Sequence, residues 1–168
     1  MWSLGCVSLL WLSALLSWEG VPSDCDLDNC RQRYHETCLD FRNQILVEGF
    51  LSDMRQIETM CPNDARIQGY LAAAGMIHAG LGWNPIEAWQ QFNEWKPKLE
   101  EAIAQLPEDP DLRLLRLGVQ SNAPSLLSYH GNIEEDLDQI RSALQAGYWR
   151  NNLAFEAFVQ KTVTTFAP

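Results

Sequence analysis

The sequence predicts an all-α protein in which antiparallel helix pairs pack as a short, degenerate tetratricopeptide-like array. Three observations predict it. Apolar residues recur at steps of three and four along most of the chain, which is the spacing of one helix face. Asn or Asp residues, some followed by Pro, stand where these segments begin. No segment shows the alternation of apolar and polar residues that a half-buried strand requires.

Residues 1–23 predict a secretory signal peptide. No charged side chain occurs before Glu19, and residues 7–16 form an apolar run of the length of a signal core. Val21 and Ser23 fit the small-residue rule for cleavage before Asp24. The alternative is a membrane-anchored subunit with an uncleaved leader, because the uncharged run is about long enough to span a bilayer. We therefore expect a secreted, periplasmic or cell-envelope protein, which contacts a membrane only if the leader is retained.

The composition predicts a strongly acidic single domain. The chain has 12 Lys and Arg against 22 Asp and Glu, a net charge of −10. Such a surface repels phosphate backbones, so nucleic acid is not an expected partner. The length leaves room for one core. Within it we expect residues 24–62 to form a disulfide-stapled helical hairpin and residues 63–168 to complete the helical domain.

Four cysteines follow the leader: Cys25, Cys30, Cys38 and Cys61. An even number in an exported chain favours disulfides, and their spacing does not fit the close pairs of a zinc site. Cys30 and Cys38 share one helical pattern, about 12 Å apart along the axis, which is too far for a bond. The apolar pattern slips at residues 48–49, and a turn there predicts the pairs Cys38–Cys61 and Cys25–Cys30. The alternative is that Cys38 and Cys61 are reduced core residues.

The next cap signals predict two helices. Asp64 begins a helix that ends at the glycines of residues 79–82. Asn84, followed directly by Pro and then by a Glu three residues after the cap, begins a long helix. Pro97 lies inside this helix and is expected to kink or split it near residues 93–96.

Three further helices complete the prediction. Asp109 opens a helix over residues 112–122, which Ala-Pro closes. Asn132 begins a pattern that resembles a capping box, which predicts a helix over residues 133–146. The last helix is expected over residues 153–164.

One helix junction occurs twice. Residues 60–67 and 105–112 match, since each segment ends a helix, turns at Pro and restarts behind an Asp. The second copy resembles the junction between tetratricopeptide repeats. The pattern indicates helix pairs, but the distance between the copies is too long for a plain 34-residue repeat.

Residues 112–136 carry a more particular pattern. They read Leu112-Arg-Leu-Leu-Arg-Leu-Gly-Val-Gln-Ser-Asn-Ala-Pro-Ser-Leu-Leu-Ser-Tyr129, followed by Asn132-Ile-Glu-Glu-Asp136. This segment resembles an uncharacterised family of small helical, tetratricopeptide-like proteins from Bacteroidota. Leu114 stands where that family usually has Phe, and the cysteine-rich beginning is not a feature of the family. The resemblance implies a helical repeat-like fold and a bacterial envelope location, and it implies no activity.

Three polar residues of this segment form a candidate binding stripe. Arg113, Arg116 and Gln120 lie at i, i+3 and i+7, on one side of a helix. Two guanidiniums on one face could bind a carboxylate or phosphate, as in an anion-handling or hydrolytic enzyme. The alternative is that the arginines pair with Glu134, Glu135 or Asp136 on the next helix. Asn122 and Tyr129 would then help to fix the turn between the two helices.

The sequence carries no recognisable catalytic or metal-binding motif. His35, His78 and His130 do not stand at metal-ligand spacing from one another or from carboxylates. No nucleophile elbow and no Gly-rich phosphate loop occurs either. We expect no cofactor, no metal and no enzymatic activity.

Aromatic residues are dense around the predicted long helix. Trp89 and Phe92 fit its buried stripe, whereas Trp83 and Trp95 fit it less well. If exposed, Trp83 and Trp95 would form a docking patch for a peptide or partner helix. The alternative is that all four pack in the core. The function that fits best is an exported, non-catalytic protein-interaction or scaffolding module that binds a protein or peptide in a groove between helices.

Overall fold

The computed structural model describes residues 25–166, which form seven α-helices, one short 3-10 helix (Ser125–Leu127) and no strand. The helices are α1 (Leu27–Leu39), α2 (Gln44–Met60), α3 (Ala65–Ala79), α4 (Pro85–Gln105), α5 (Pro110–Asn122), α6 (Ile133–Gln145) and α7 (Leu153–Thr165). The predicted all-α class and the pairing of helices in an array are confirmed. None of these helices is long and apolar enough to cross a bilayer. The predicted signal peptide lies outside the described residues.

Side-chain caps set most helix starts, as the sequence predicts. The side chains of Asp64, Asn84 and Asp109 accept first-turn backbone N–H groups of α3, α4 and α5, which satisfies donors that have no partner inside the helix. The start of α6 is confirmed, but the predicted capping box is wrong. Asn132 makes no side-chain bond to the backbone of α6, and its Oδ1 instead lies 3.5 Å from Nε2 of Gln120.

The hairpin of α1 and α2 turns at a different place from the one predicted. The turn lies at residues 40–43, because the side chain of Asn43 accepts the N–H groups of Ile45 and Leu46 and starts α2 there. Gly49 lies inside α2. The apolar pattern slips near it because α2 buries the face that begins at Val47, while Ile45 is exposed.

The disulfide joins Cys25 to Cys61, with Cα atoms 6.2 Å apart. The predicted pairs Cys38–Cys61 and Cys25–Cys30 are therefore wrong, and Cys30 and Cys38 are free thiols. The misplaced turn explains the error. With the turn at residues 40–43, the positions equidistant from it at the open end of the hairpin are those near Cys25 and Cys61. The bond closes that open end, and it is compatible with an oxidising compartment.

Pro97 does not split α4, so the predicted split is wrong. The helix runs unbroken through Pro97 from Pro85 to Gln105, about 31 Å. A proline removes the hydrogen bond to the carbonyl four residues earlier, which here belongs to Asn93. Asn93 and Pro97 are both exposed, so water can solvate that carbonyl and the helix can continue.

Helix α3 is the centre of the array and packs against α1, α2, α4 and α5. It is rich in small residues, which let its neighbours approach closely. A methyl group added at Gly69 would collide with Leu112 of α5, and one added at Gly75 would collide with the indole of Trp95 of α4. The three consecutive alanines Ala72–Ala74 are all buried.

The array has two distinct ends. The starts of α1, α3, α5 and α7 lie together, because Arg31 bonds Asp111, Arg66 bonds Asp109 and Asn152 lies near Asp28. We call this the cap end. Since consecutive helices run antiparallel, the three connections at residues 40–43, 80–84 and 123–132 lie at the opposite end, which we call the turn end.

Candidate functional site

The two arginines of the candidate stripe lie in a buried ionic cluster between α4, α5 and α6. Arg116 donates from Nε to Oδ2 of Asp136 at 2.8 Å and from Nη2 to Oδ1 at 2.7 Å. Its Nη1 bonds Oε2 of Glu100 at 2.9 Å. Arg113 donates to Asp136 at 3.0 Å and to Glu135 at 2.9 Å. We call these five residues the arginine cluster.

The arginine cluster is a structural clamp by its geometry. Each nitrogen of both guanidiniums donates to an acceptor of the chain, including the carbonyl of Pro107, which receives two bonds from Arg113. Three carboxylates face two guanidiniums, so the cluster repels a further anion. Asp136 is fully buried and both arginines are nearly so. Among the alternatives from the sequence, pairing with Glu135 and Asp136 is the arrangement found.

Of the two turn residues in the predicted clamp, only Tyr129 contacts the arginine cluster. Tyr129 joins the cluster, since its hydroxyl bonds Oε1 of Glu100, and burial together with this bond raises the pKa of Tyr129. Asn122 does not join, because its amide bonds the carbonyl of Gly118. Gln120 is buried, with Nε2 near Asn132 and no hydrogen-bond partner for Oε1 among the described residues.

A second buried ionic cluster lies at the cap end, and the sequence pattern does not predict it. Arg31 of α1 donates to Asp111 of α5 at 2.7 Å, and Nε1 of Trp149 donates to the same carboxylate at 2.7 Å. Beside it, Arg66 bonds Asp109 at 2.5 Å. Burial raises the pKa of Asp111, against the effect of Arg31. This cluster ties α1, α3, α5 and the loop before α7 together.

The sequence holds only a weak signal of this second cluster. The repeated junction correctly predicts that Asp64 and Asp109 cap α3 and α5. It does not predict that Arg66, which follows the first cap Asp64, bonds the second cap Asp109. Asp111 looks like an ordinary acidic residue of a first helical turn, and its burial and its bonds to Arg31 and Trp149 come from tertiary packing.

The cap end also carries a shallow surface depression of about 560 Å³. Its lining mixes both signs of charge and comprises Cys25, Asp26, Leu27, Asp28, Arg31, Asp64 and Arg66. Arg31 and Arg66 are the arginines that already pair with Asp111 and Asp109. Within residues 25–166 no group of three His, Cys, Asp or Glu side chains is placed to hold a metal ion.

The aromatic group is arranged differently from the prediction. Trp83 is 93% exposed and Trp89 is 52% exposed, so the expected burial of Trp89 is wrong. Phe92 is buried, as predicted. Trp95 is half-buried, because Gly75 leaves room for its ring, and Nζ of Lys98 lies 4.0 Å from the ring centre.

An exposed apolar patch remains at the start of α4. It consists of Trp83, Ile86 and Trp89, and we call it the Trp83 patch. Ile86 is 68% exposed. The sequence pattern predicts Trp83 as a member of such a patch, but it predicts Trp95 where the structure has Trp89. The error comes from α4 extending beyond α5, so that the outer face of its first turns has no helix to cover it.

Comparison with protein-family models, with curated proteins and with solved structures gives no match for this chain.

Proposed function

We propose that this chain is an exported, non-catalytic protein-interaction or scaffolding module of the bacterial envelope. The observation that carries the proposal is the 93% exposure of Trp83, next to Ile86 and Trp89. Tryptophan is the residue type most enriched at the energetic centres of protein interfaces. An exposed apolar group of this size lowers the solubility of a protein when no partner covers it, which supports a binding role.

The polar residues support the same proposal. Arg113 and Arg116, the residues on which an anion-handling enzyme would depend, already bind Asp136, Glu100 and Glu135. To bind substrate, they would have to break buried ion pairs, and breaking such a pair costs about 3–5 kcal/mol. We therefore do not propose the enzyme.

The disulfide supports the exported location. Structural disulfides persist in oxidising compartments, and Cys25–Cys61 closes the first helix pair. The uncharged leader supports the same location.

Site-specific photocrosslinking in the native host tests the proposal. A photoreactive amino acid replaces Trp83, and a matched control chain carries it at Leu153. Leu153 is 74% exposed at the cap end. We expect a discrete crosslinked product from position 83 and none from position 153.

Two outcomes contradict the proposal. Equal crosslinking from both positions would indicate nonspecific contact, and no product from position 83 would remove the binding role of the patch. A second experiment addresses the arginines: the double variant Arg113→Ala, Arg116→Ala should lose stability and leave the crosslink at position 83 intact in whatever fraction remains folded.

A further inference from the structure

The outer face of α4 carries a row of three glutamates. Glu87, Glu94 and Glu101 follow one another at seven-residue steps along the helix, and all three are exposed. Seven residues are almost two helical turns, so these side chains leave the helix in nearly the same direction, about 10 Å apart along its axis. We call these three residues the glutamate row.

The glutamate row borders the Trp83 patch. Glu87 follows Ile86 by one residue and Trp89 follows it by three. A step of one residue turns the helix by about 100° and a step of three by about 300°, so Glu87 and Trp89 lie on opposite sides of Ile86 around α4. A molecule that covers Ile86 therefore meets apolar surface on one side and carboxylates on the other.

The two lysines of α4 neutralise this face only in part. Nζ of Lys98 lies 3.9 Å from Oε1 of Glu94. Lys96 lies over the ring of Tyr129, with 4.8 Å between Nζ and the ring centre. Within residues 25–166 the other two glutamates of the row form no ion pair. Their charge is therefore free to act on a partner.

The charges that follow on the neighbouring connection are acidic as well. Tyr129 packs on Phe92 and bonds Glu100, which places the α5–α6 connection beside the middle of α4. The first charged residues after this connection are Glu134, which is exposed, and Glu135, which belongs to the arginine cluster. The chain as a whole has a net charge of −10. This charge attracts a cationic partner and repels an acidic one.

We propose that the outer face of α4 binds a basic amphipathic helix of a partner protein. The apolar side chains of that helix cover the Trp83 patch, and its Lys or Arg side chains pair with the glutamate row. This inference rests on the proposed function and names the chemistry of its partner. A second copy of this chain suits the face less well, because it brings further negative charge, and an anionic lipid surface does so for the same reason.

A single helix fits the size and the spacing of this face. A large side chain has about 150–250 Å² of surface, so the Trp83 patch at its exposed fractions presents on the order of 400 Å². An interface between two folded domains buries about 800 Å² on each partner, so one segment suits this patch better. Glutamates at seven-residue steps match basic residues at the same steps on a helix that lies alongside, as the flanking charges of coiled coils do.

Titration of the purified chain with a synthetic peptide, followed by calorimetry, tests the inference. The probe is a helix-forming peptide of about 18 residues, about 27 Å long, with Leu on one face and Lys on the other. The matched peptide has Glu in place of each Lys. We expect the Lys peptide to bind and the Glu peptide not to bind. Binding should weaken as the salt concentration rises, because salt screens exposed charges.

Two variants separate the charges from the apolar anchor. The double variant Glu87→Gln, Glu94→Gln should weaken binding of the Lys peptide about tenfold, because it removes two exposed charge pairs. Trp83→Ser should weaken it about tenfold or more, as expected for a central tryptophan. The matched control Glu48→Gln, Glu58→Gln removes two glutamates of α2 and should leave the affinity nearly unchanged. Circular dichroism verifies that each variant is folded.

Four results of the titration would overturn the inference. They are no binding of the Lys peptide, equal binding of the Glu peptide, equal weakening by the control on α2, and no weakening by Trp83→Ser. Equal weakening by the control would show that the peptide responds to net charge alone.

The crosslink in the native host separates this inference from the proposed function. The charge reversal Glu87→Lys, Glu94→Lys should abolish the crosslink from position 83. A crosslink that survives the reversal, or a product that contains two copies of this chain, overturns the basic partner and leaves the proposed function standing. No crosslink from position 83 in the otherwise unaltered chain removes both.

Discussion

Arg116 and Asp136 form a doubly bonded ion pair across α5 and α6, with Nε–Oδ2 and Nη2–Oδ1 distances of 2.8 and 2.7 Å. The side chain of Asp136 is fully buried and that of Arg116 is 5% exposed. The pair lies where α4, α5 and α6 meet, since Glu100 of α4 takes the remaining nitrogen of Arg116. It therefore ties α4, α5 and α6 together.

Replacing Arg116 by Met should destabilise the protein by about 3–5 kcal/mol, because it leaves the buried charge of Asp136 short of its main partner. The measurement is the free energy of unfolding in urea. Arg141→Met is the control, since Arg141 pairs with the exposed Asp138, and we expect no measurable change there. Equal effects of the two variants would show that the buried pair is not a clamp.

The Cys25–Cys61 bond should contribute about 2–4 kcal/mol, since it closes a loop with a sequence separation of 36 residues in the unfolded chain. The double variant Cys25→Ser, Cys61→Ser should unfold at lower urea concentration. Reductant should shift the midpoint of the native chain in the same way and leave that of the double variant in place. A native chain that does not respond to reductant would contradict the assignment of this bond.

The two free thiols should react slowly in the folded protein. Burial raises the pKa of Cys30 to about 12 and that of Cys38 to about 11, so little thiolate exists near neutral pH. Alkylation at pH 8 should therefore be slow in buffer and fast in denaturant, when followed by intact mass. Rapid labelling of the native chain would show that these helix positions are accessible.

Stability should fall at alkaline pH. Burial raises the pKa of Cys30 from 9.0 to about 12 and raises those of Tyr34 and Tyr70 well above 10.0, so these groups stay protonated in the folded state and ionise in the unfolded state. Their contribution to the free energy of unfolding is fully present below about pH 9, and it is lost progressively as the pH rises above that value. Tyr70→Phe should flatten this decrease. It should also be neutral or stabilising at pH 7, because the Tyr70 hydroxyl is buried with no partner among the described residues. A large loss of stability at pH 7 in Tyr70→Phe would contradict this reasoning.

Gly75→Ala should cost about 1–3 kcal/mol, because the added methyl group collides with the indole of Trp95. Thermal unfolding and the tryptophan emission spectrum measure the effect, since a displaced Trp95 becomes more exposed. Gly49→Ala is the matched control. Gly49 lies inside α2 with no atom within 4 Å of an added methyl group, so this variant should gain about 0.5–1 kcal/mol. A similar loss in both variants would contradict the packing of Trp95 on Gly75.

Local signals predicted the helices well because local interactions form them. The starts of α3, α4 and α5 follow from Asp64, Asn84 and Asp109, whose side chains bond backbone groups two or three residues away. The clamp of Arg113 and Arg116 onto Glu135 and Asp136 was among the predicted alternatives, because acidic residues follow on the next helix.

Features set by tertiary packing were harder to predict. The pairing of the cysteines depends on where the first hairpin turns. In the sequence, the slip of the apolar pattern near Gly49 resembles a turn, although Gly49 lies inside α2. The position of Trp89 depends on α4 outreaching α5, and that of Trp95 on the gap left by Gly75. The partners of Asp111 come from α1 and the loop before α7, far away in sequence. No local pattern carries this information.

The intact mass of the protein recovered from its native host, alkylated in denaturant with and without prior reduction, tests the account of an exported, disulfide-closed module most directly. We predict a chain that begins near Asp24. It should take up two alkyl groups without reduction, at Cys30 and Cys38, and four after reduction. A full-length chain with every cysteine alkylated before reduction would contradict the account, since it would show that the protein resides in a reducing compartment with its leader attached.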